Sequence, residues 1–209
     1  MCQMNYDGAI AYAITRLRRE LSPKLTYHDL WHTQFDVLPA VARMGAINGL
    51  AHEEIRLMEV AAAFHDLGFI RAYQGHEAVG VQIVQEVLPG FGFEAAPIEQ
   101  IAGMILATRL PQSPKNLMEE IMVDADLDVL GRDDFFDRNE LLRQEIALSG
   151  RSISWRQWQE EQLCFLQGHT YFTPVARAMR NEGKQRHIKT IEEWLRKGRT
   201  VDSDGDHWY

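Results

Sequence analysis

The sequence is poor in three features that would point to other classes of protein: cysteine, long apolar runs and clustered positive charge. Cys2 and Cys164 are the two cysteines in 209 residues, and thiols so far apart are typical of unpaired cysteines in a reducing cytoplasm. The fold must then be held by its apolar core. A chain of this length with 45% hydrophobic residues can build one without disulfides.

No stretch of about 18 apolar residues occurs, and no basic N-terminal segment precedes a long apolar one. We therefore expect a cytoplasmic protein that is neither secreted nor inserted into a membrane. The net charge of −8 also argues against general nucleic-acid binding, because affinity for a polyanion requires clustered Lys and Arg. Any recognition of phosphate would have to be local.

Apolar residues recur at three- and four-residue spacing almost throughout, which indicates an all-α fold. We expect a single domain over residues 1–198, built as a bundle of roughly nine to ten helices, and a disordered polar tail over 199–209. The third helix is the most apolar and should be central, with Gly68 as a left-handed C-cap. The predicted helices cover residues 6–21, 29–46 (interrupted near Pro39), 52–67, 75–88, 96–107, 116–130, 133–149, 154–167, 173–181 and 183–196.

Four residues of metal-ligand type stand at the ends or beginnings of apolar helical runs: His32, the adjacent pair His65 and Asp66, and Asp126. At such positions a side chain can point into the interior and still carry charge. Two imidazoles and two carboxylates suit a divalent ion, Mn²⁺, Fe²⁺, Zn²⁺, Co²⁺, Ni²⁺ or Mg²⁺, and leave coordination positions open for water and substrate. Such a set is typical of a catalytic metal site.

Taken alone, His65 and Asp66 are more often a core histidine and a capping aspartate than metal ligands. Two further patterns favour the metal. His28 and His32 are four residues apart and therefore share one helical face. Aspartates at 124, 126 and 128 alternate with apolar residues in a helical run, where they would repel one another unless a cation or arginines neutralised them.

These motifs, in their order and spacing, resemble those of the HD-domain superfamily of metal-dependent phosphohydrolases. The resemblance implies an HD-type helical bundle in which His32, His65, Asp66 and Asp126 bind the metal. Asp126 is preferred to Asp124, which would instead support a ligand from behind. The matching segments are Tyr27-His28-Asp29-Leu30-Trp31-His32, Phe64-His65-Asp66-Leu67-Gly68 and Asp124-Ala125-Asp126-Leu127-Asp128-Val129-Leu130-Gly131.

The opening Tyr-His-x-x-x-His is also similar to that of the cyclic-nucleotide phosphodiesterases, which implies that His28 is a general acid for the leaving oxygen. Asp66 would both bind the metal and orient the attacking water. The implied reaction is hydrolysis of a phosphate ester or anhydride, because a divalent ion acidifies water and polarises a phosphoryl oxygen. The implied substrate is a nucleotide or another small phosphorylated metabolite. Segments beginning at Thr108 and Glu160 resemble a bacterial branch of predicted HD hydrolases and indicate no particular substrate.

Further residues are candidates for the same site. His76 begins the helix after the His-Asp pair, where some HD proteins with two metals place another ligand, and helix capping is an equal alternative. Dinuclear members carry one more His about a helix later, where this chain has Thr108, and that departure argues against a complete second site. Arg71 and Arg109 are candidate phosphate-binding residues, because a guanidinium can hold two phosphoryl oxygens at once.

Three other functions are open on the sequence alone. Histidines at 28 and 32 have the spacing of a zinc peptidase helix, but that motif requires Glu after the first His, and Asp29 stands there. A di-iron HD-type oxygenase is favoured by His76 and disfavoured by Thr108. A nucleotide-sensing binding module without turnover would keep the fold, although the presence of all four ligands favours catalysis.

Overall fold

The structure is a computed structural model that describes residues 4–197, so the tail predicted over 199–209 lies outside the described residues. Within that range the chain forms nine α-helices and no strand, which confirms the predicted all-α fold. No helix in this range combines the length and the apolar content needed to cross a membrane. The helices are α1 (Tyr6–Glu20), α2 (Leu38–Ile47), α3 (His52–Phe64), α4 (His76–Val87), α5 (Ala95–Ala107), α6 (Leu117–Asp126), α7 (Phe135–Leu148), α8 (Trp155–Gly168) and α9 (Pro174–Arg196).

Short turns of other helix types adjoin the positions of the predicted ligands. A π-helical turn, His32–Val37, leads into α2, and 3₁₀ turns at Leu67–Ile70 and Asp128–Gly131 follow α3 and α6. A further 3₁₀ turn, Leu88–Phe91, follows α4. Turns with more or fewer residues than an α-helical turn change the direction of side chains along the chain, and π-turns are frequent at functional sites.

The centre of the molecule is α3, as predicted. Ala61, Ala62, Ala63 and Phe64 are completely buried, and α3 packs against α1, α2 and α5. Three consecutive alanines allow these helices to approach closely, while Phe64 fills space in the core together with Tyr12, whose ring is stacked on it. The C-terminal end of α3 is therefore held rigidly, and this end carries His65 and Asp66.

The interruption predicted near Pro39 coincides with a change of helix type, since the π-helical turn ends at Val37 and α2 begins at Leu38, with the proline in its first turn. A prediction about another helix end is wrong. Gly68 is not a left-handed C-cap, since it has no positive φ and α3 ends at Phe64. Gly68 is instead required by close packing, because a Cβ there would lie 1.8 Å from the carbonyl oxygen of His76.

The helices predicted over 173–181 and 183–196 are a single helix, α9. Gly183 lies inside this helix and does not break it. A Cβ on Gly183 would lie 2.1 Å from the carbonyl oxygen of Gly131. The glycine therefore serves the contact between α9 and the 3₁₀ turn after α6.

Candidate metal centre and adjoining cavity

The four predicted ligands lie together, although they are far apart in the sequence. His32 Nε2 is 3.1 Å from Asp126 Oδ1 and 3.8 Å from Asp66 Oδ2. His65 Nε2 is 3.2 Å from Asp66 Oδ2 and 3.5 Å from Asp126 Oδ1. Ligand atoms that bind one ion at about 2.0–2.2 Å are at most about 4.3 Å apart. All four separations are shorter. His32, His65 and Asp66 each bring one ligand atom within 4.8 Å of the other two, which is close enough to share one ion, and Asp126 Oδ1 lies beside the Nε2 atoms of both histidines.

The ends of the helices explain why neighbouring residues can face the same point. Successive residues of a helix point about 100° apart, which would separate His65 from Asp66. His65 is the C-cap of α3 and still has helical backbone angles, whereas Asp66, at φ −98° and ψ 1°, begins the 3₁₀ turn. The change of helix type between them turns both side chains towards the cluster. Asp126 is the last residue of α6 and occupies a comparable end.

The orientation of both histidine rings fits a metal. His65 Nδ1–H donates to the carbonyl oxygen of Ala62 at 2.6 Å, and His32 Nδ1 lies 3.7 Å from Asp36 Oδ2. Both rings present Nε2 to the cluster. The other nitrogen of His65 is fixed by its hydrogen bond, as in metal-binding histidines, whereas His32 Nδ1 and Asp36 Oδ2 are buried without a hydrogen-bond partner within residues 4–197. His65 Nε2 and Asp66 Oδ2 are buried and have no hydrogen-bond partner within residues 4–197. Such atoms are costly unless something satisfies them, and a divalent cation fits that requirement.

The charges of the cluster also fit a divalent cation. Burial lowers the pKa of His32, but hydrogen bonds to Asp126 and Asp36 and the nearby carboxylate charges outweigh it and raise the pKa to about 9. The carboxylates of Asp66 and Asp126 likewise raise the pKa of His65 against the effect of burial. In return, the histidines hold the pKa of both aspartates well below the usual range, although burial acts in the opposite direction. The positive charges of two protonated imidazoles, about +2 in total, thus balance the two carboxylates. One divalent ion would supply the same charge.

His76 lies beside the cluster. Its Nε2 is 3.5 Å from Asp66 Oδ1, and its ring stacks on Phe69 with centroids 3.7 Å apart. Gly75 is the N-cap of α4, and no side chain caps that helix, so the alternative that His76 is a capping residue is wrong. Thr108 lines the same cavity as His76, and its hydroxyl donates to the carbonyl oxygen of Ile105.

The three aspartates near the end of α6 have different partners. Asp124 accepts hydrogen bonds from the backbone N–H groups of Phe172 and Thr173, both at 2.8 Å, and from the Thr173 hydroxyl at 2.7 Å. Asp128 accepts two hydrogen bonds from Arg180, at 2.6 and 2.8 Å. The prediction that Asp124 supports a metal ligand is therefore wrong, because both of its oxygens hold the start of α9.

A cavity of about 570 Å³ opens from Asp66 and Asp126. Candidate site residues His28, His76 and Arg109 also line it. Arg71 does not: it forms an ion pair with Glu86 at 3.0 Å on an exposed part of the surface. Of the two predicted phosphate-binding arginines, the structure therefore places only Arg109 at the cavity.

His28 is fixed by a residue that the sequence did not indicate. Its Nδ1–H donates to Glu145 Oε1 at 2.6 Å, while Glu145 Oε2 accepts from the backbone N–H groups of Tyr27 and His28 at 2.9 and 3.0 Å. Burial raises the pKa of Glu145, but the hydrogen bond and charge of His28 lower it below its usual value. A buried carboxylate thus orients the ring of His28 at the edge of the cavity.

Asp36 and Arg138 were also missed. Asp36, four residues after His32, is held by Arg132 at 2.6 Å and lies 3.5 Å from Arg138. The spacing of His32 and Asp36 on one helical face was a usable signal. Glu145 and Arg138 lie in α7, and no short sequence motif surrounds either of them. The one signal for them was their position on the face of α7 that its helical period predicts to be buried.

Comparisons with known proteins bear on the fold. No family model matches the sequence, and no curated protein matches it. The structure is similar to the crystal structure of a predicted HD superfamily hydrolase from an uncultured Thermotogales bacterium, with a TM-score of 0.61 over 92% of each chain and 17% sequence identity. At that identity the likeness is one of fold. The chain therefore has the all-α HD-type fold of this predicted hydrolase.

Proposed function

We propose that the protein is a metal-dependent hydrolase that cleaves a phosphate ester or anhydride in a nucleotide or another small phosphorylated metabolite. The observation that carries the proposal is the cluster of His32, His65, Asp66 and Asp126, in which His65 Nε2 and Asp66 Oδ2 are buried and unpartnered within residues 4–197. The two aspartates of this cluster line the cavity. The shared fold with a predicted HD superfamily hydrolase supports the same reaction class.

A divalent ion held by these four residues would acidify a water molecule and polarise a phosphoryl oxygen. Asp66 has a second task in this proposal. Its Oδ2 faces both histidines, whereas Oδ1 is 3.5 Å from His76 Nε2. Oδ1 can therefore accept a hydrogen bond from the attacking water and fix its direction.

His28 is the proposed general acid. Because Glu145 accepts the Nδ1 proton at 2.6 Å, Nε2 of the ring is left to donate a proton to the leaving oxygen in the cavity. The ionised Glu145 stabilises the protonated imidazole and prevents the ring from turning. Arg109 at the cavity wall is the proposed partner for phosphoryl oxygens, since a guanidinium can hold two of them.

The first test is the metal content of the protein, measured by elemental analysis after purification without chelators or a His-tag column. We expect about one equivalent of a divalent ion in the wild type and loss of the ion in His65→Ala. A screen of phosphate esters with that ion follows, in which Asp66→Ala should have no activity. Absence of bound metal even after incubation with Mn²⁺ or Zn²⁺, or full activity of Asp66→Ala, would contradict the proposal.

His76 supports a second candidate, a di-iron oxygenase, because its Nε2 is 3.5 Å from Asp66 Oδ1 and could belong to a second metal site. Thr108 argues against it, since a threonine stands where dinuclear HD proteins carry a further histidine ligand. Two equivalents of iron together with substrate-dependent consumption of O₂ would favour the oxygenase over the hydrolase.

A further inference from the structure

The walls that α7 and α8 contribute to the cavity combine apolar side chains with two amides and with the charged residues Arg138 and Glu161. Side chains of α7 and α8 line it, including Leu142, Trp158 and Phe165. Asn139 and Gln162 lie among them and are nearly buried. Two amides in such surroundings must satisfy each other or a ligand.

The indole of Trp158 fixes the donor and the acceptor in the hydrogen bonds that join it to Asn139 and join Asn139 to Gln162. An indole N–H can only donate, so the atom that Trp158 Nε1 contacts at 2.7 Å is the oxygen of Asn139. The amide nitrogen of Asn139 then donates to Gln162 Oε1 at 2.5 Å. The amide nitrogen of Gln162 is left over, and the structure gives it no acceptor within residues 4–197. Because Trp158 is only 2% exposed, its indole cannot turn to reverse the order.

We infer that Gln162 selects the substrate of this site by donating a hydrogen bond to an acceptor, such as a ring carbonyl, on an organic group with apolar faces. The inference rests on the proposed function for the phosphate end of the substrate and adds the chemistry of the other end. A group without an acceptor leaves a donor unsatisfied in an apolar cavity, and sites of this kind reject such analogues. The hydroxyl groups of a sugar phosphate would lose their hydrogen bonds to water against the same apolar walls, which offer no replacement.

The test uses two bicyclic phenols of similar size, of which only one carries a carbonyl acceptor. 4-Methylumbelliferone has two rings and a lactone carbonyl, whereas 2-naphthol has two rings and no carbonyl. Their dissociation constants are measured by calorimetry, so that the result does not depend on turnover. We expect the wild type to bind 4-methylumbelliferone about three- to tenfold more tightly, the range for one net hydrogen bond.

Two variants remove the donor in different ways. Gln162→Glu keeps an oxygen for Asn139 and replaces the amide nitrogen with another oxygen, while Gln162→Leu removes both groups. Both should lose the preference for 4-methylumbelliferone. The matched control is Gln159→Leu, at a buried glutamine of the same helix that does not line the cavity, and this variant should keep the preference. Equal binding of the two phenols by the wild type, binding of neither, or an unchanged preference in both Gln162 variants would overturn the inference.

The phosphate esters of the two phenols allow this inference to be tested separately from the proposed function. The ratio of kcat/KM for 4-methylumbelliferyl phosphate to kcat/KM for 2-naphthyl phosphate is measured in the wild type and in Gln162→Leu. Because the two leaving groups differ in reactivity to the same extent in both proteins, that difference cancels when the two ratios are compared. Hydrolysis of both esters with a ratio that Gln162→Leu leaves unchanged would overturn the role of Gln162 alone. A wild-type binding preference without hydrolysis of either ester would support the role of Gln162 and count against the phosphohydrolase.

Discussion

Each proposed histidine ligand has a group of the protein facing the nitrogen on its far side. The backbone carbonyl of Ala62 accepts from His65 Nδ1–H at 2.6 Å, and Asp36 faces Nδ1 of His32 at 3.7 Å. Asp36 is itself held by Arg132. Groups in this position orient the ring and increase the basicity of the nitrogen that binds the metal. Asp36 should therefore affect metal binding although it is not among the proposed ligands.

Asp36→Asn should weaken metal binding by about 10- to 100-fold, the usual cost of losing such a partner. The substitution keeps the size of the side chain and removes its charge. Affinity for Zn²⁺ is measured by competition with a chromophoric chelator. The matched control is Asp134→Asn, because Asp134 also binds Arg132 but has no contact with His32 among those that the structure gives. Equal losses in the two variants would show that the effect comes from Arg132 and not from His32.

Glu145→Gln tests the proposed support of the general acid. We expect kcat for a phosphate ester to fall by about 10²-fold, the lower part of the range for a general acid, because an amide cannot stabilise a protonated His28. Metal content should not change, since Glu145 contacts none of the proposed ligands. Tyr73→Phe is the control, as its hydroxyl donates to the same Glu145 oxygen at 3.3 Å and its loss should cost little. A fall in metal content together with kcat would indicate a structural role for Glu145.

The clustering of the four proposed ligands could be predicted from the sequence because each stands in a short motif at a helix end. The motif favoured Asp126 over Asp124 as the ligand, but the role of Asp124 could not be predicted from it, since the two lie two residues apart in the same apolar run. The distinction depends on the helix direction and on Thr173, whose backbone and hydroxyl bind Asp124. Contacts between residues so far apart in the chain leave no local pattern.

At the scale of a helix, glycine is ambiguous in the same way. A glycine can end a helix, or it can lie inside one and allow another part of the chain to pack closely against it. In a sequence, a glycine within a helical pattern is read as a break, which is why 173–181 and 183–196 were predicted as two helices. Gly183 instead permits α9 to contact Gly131. The helical period located nearly all of the elements, because an apolar face is a local property. The use of a glycine depends on what packs against it, and the sequence does not contain that information.

Gly183→Ala should lower the free energy of unfolding by about 1–3 kcal/mol, as overpacking does, because the added Cβ would meet the backbone of Gly131. The better helix propensity of alanine offsets only part of this cost. Urea denaturation followed by circular dichroism gives the value. Gly168→Ala, in α8 with open space around its Cβ, should change the stability by no more than about 0.5 kcal/mol. Equal effects of the two substitutions would contradict the proposed contact.

The connection between α8 and α9 should make stability depend on pH. Burial and the charge of Lys184 lower the pKa of His169 to about 4. In the unfolded chain its pKa is about 6.5, so below that pH the unfolded state binds more protons. Stability therefore falls as the pH decreases from about 6.5 to about 4, and this histidine adds no further loss below that range.

His169→Gln should reduce this loss of stability. The measurement is the difference in the free energy of unfolding between pH 7 and pH 5, from urea denaturation of the wild type and the variant. His52→Gln, at an exposed histidine at the start of α3, is the control and should leave the difference as in the wild type. A variant with the same pH dependence as the wild type would show that His169 does not titrate in this way.

At the scale of the molecule, the proposed metal centre joins three parts of the chain. His32 begins the π-turn, His65 and Asp66 follow α3, and Asp126 ends α6. The cavity beyond it is formed by α7 and α8, which come later in the sequence. The residues of the proposed metal centre were predicted from motifs in the first 131 residues, whereas the shape of the cavity required the packing of the later helices.

Because its ligands come from three separate elements, a bound ion should stabilise the whole fold. An ion that binds only the folded state stabilises it by RT ln(1 + [L]/Kd), or about 2.7 kcal/mol at a hundredfold excess over Kd. For a chain of this size, we expect Tm to rise by about 5–10 °C when Zn²⁺ or Mn²⁺ is added to chelator-treated wild type. His65→Ala should show no rise, and neither should Asp126→Ala, since each lacks one of the four ligands. His52→Ala controls for nonspecific binding and should respond as the wild type does. Equal shifts in all four proteins, measured by scanning calorimetry, would place the ion elsewhere on the surface.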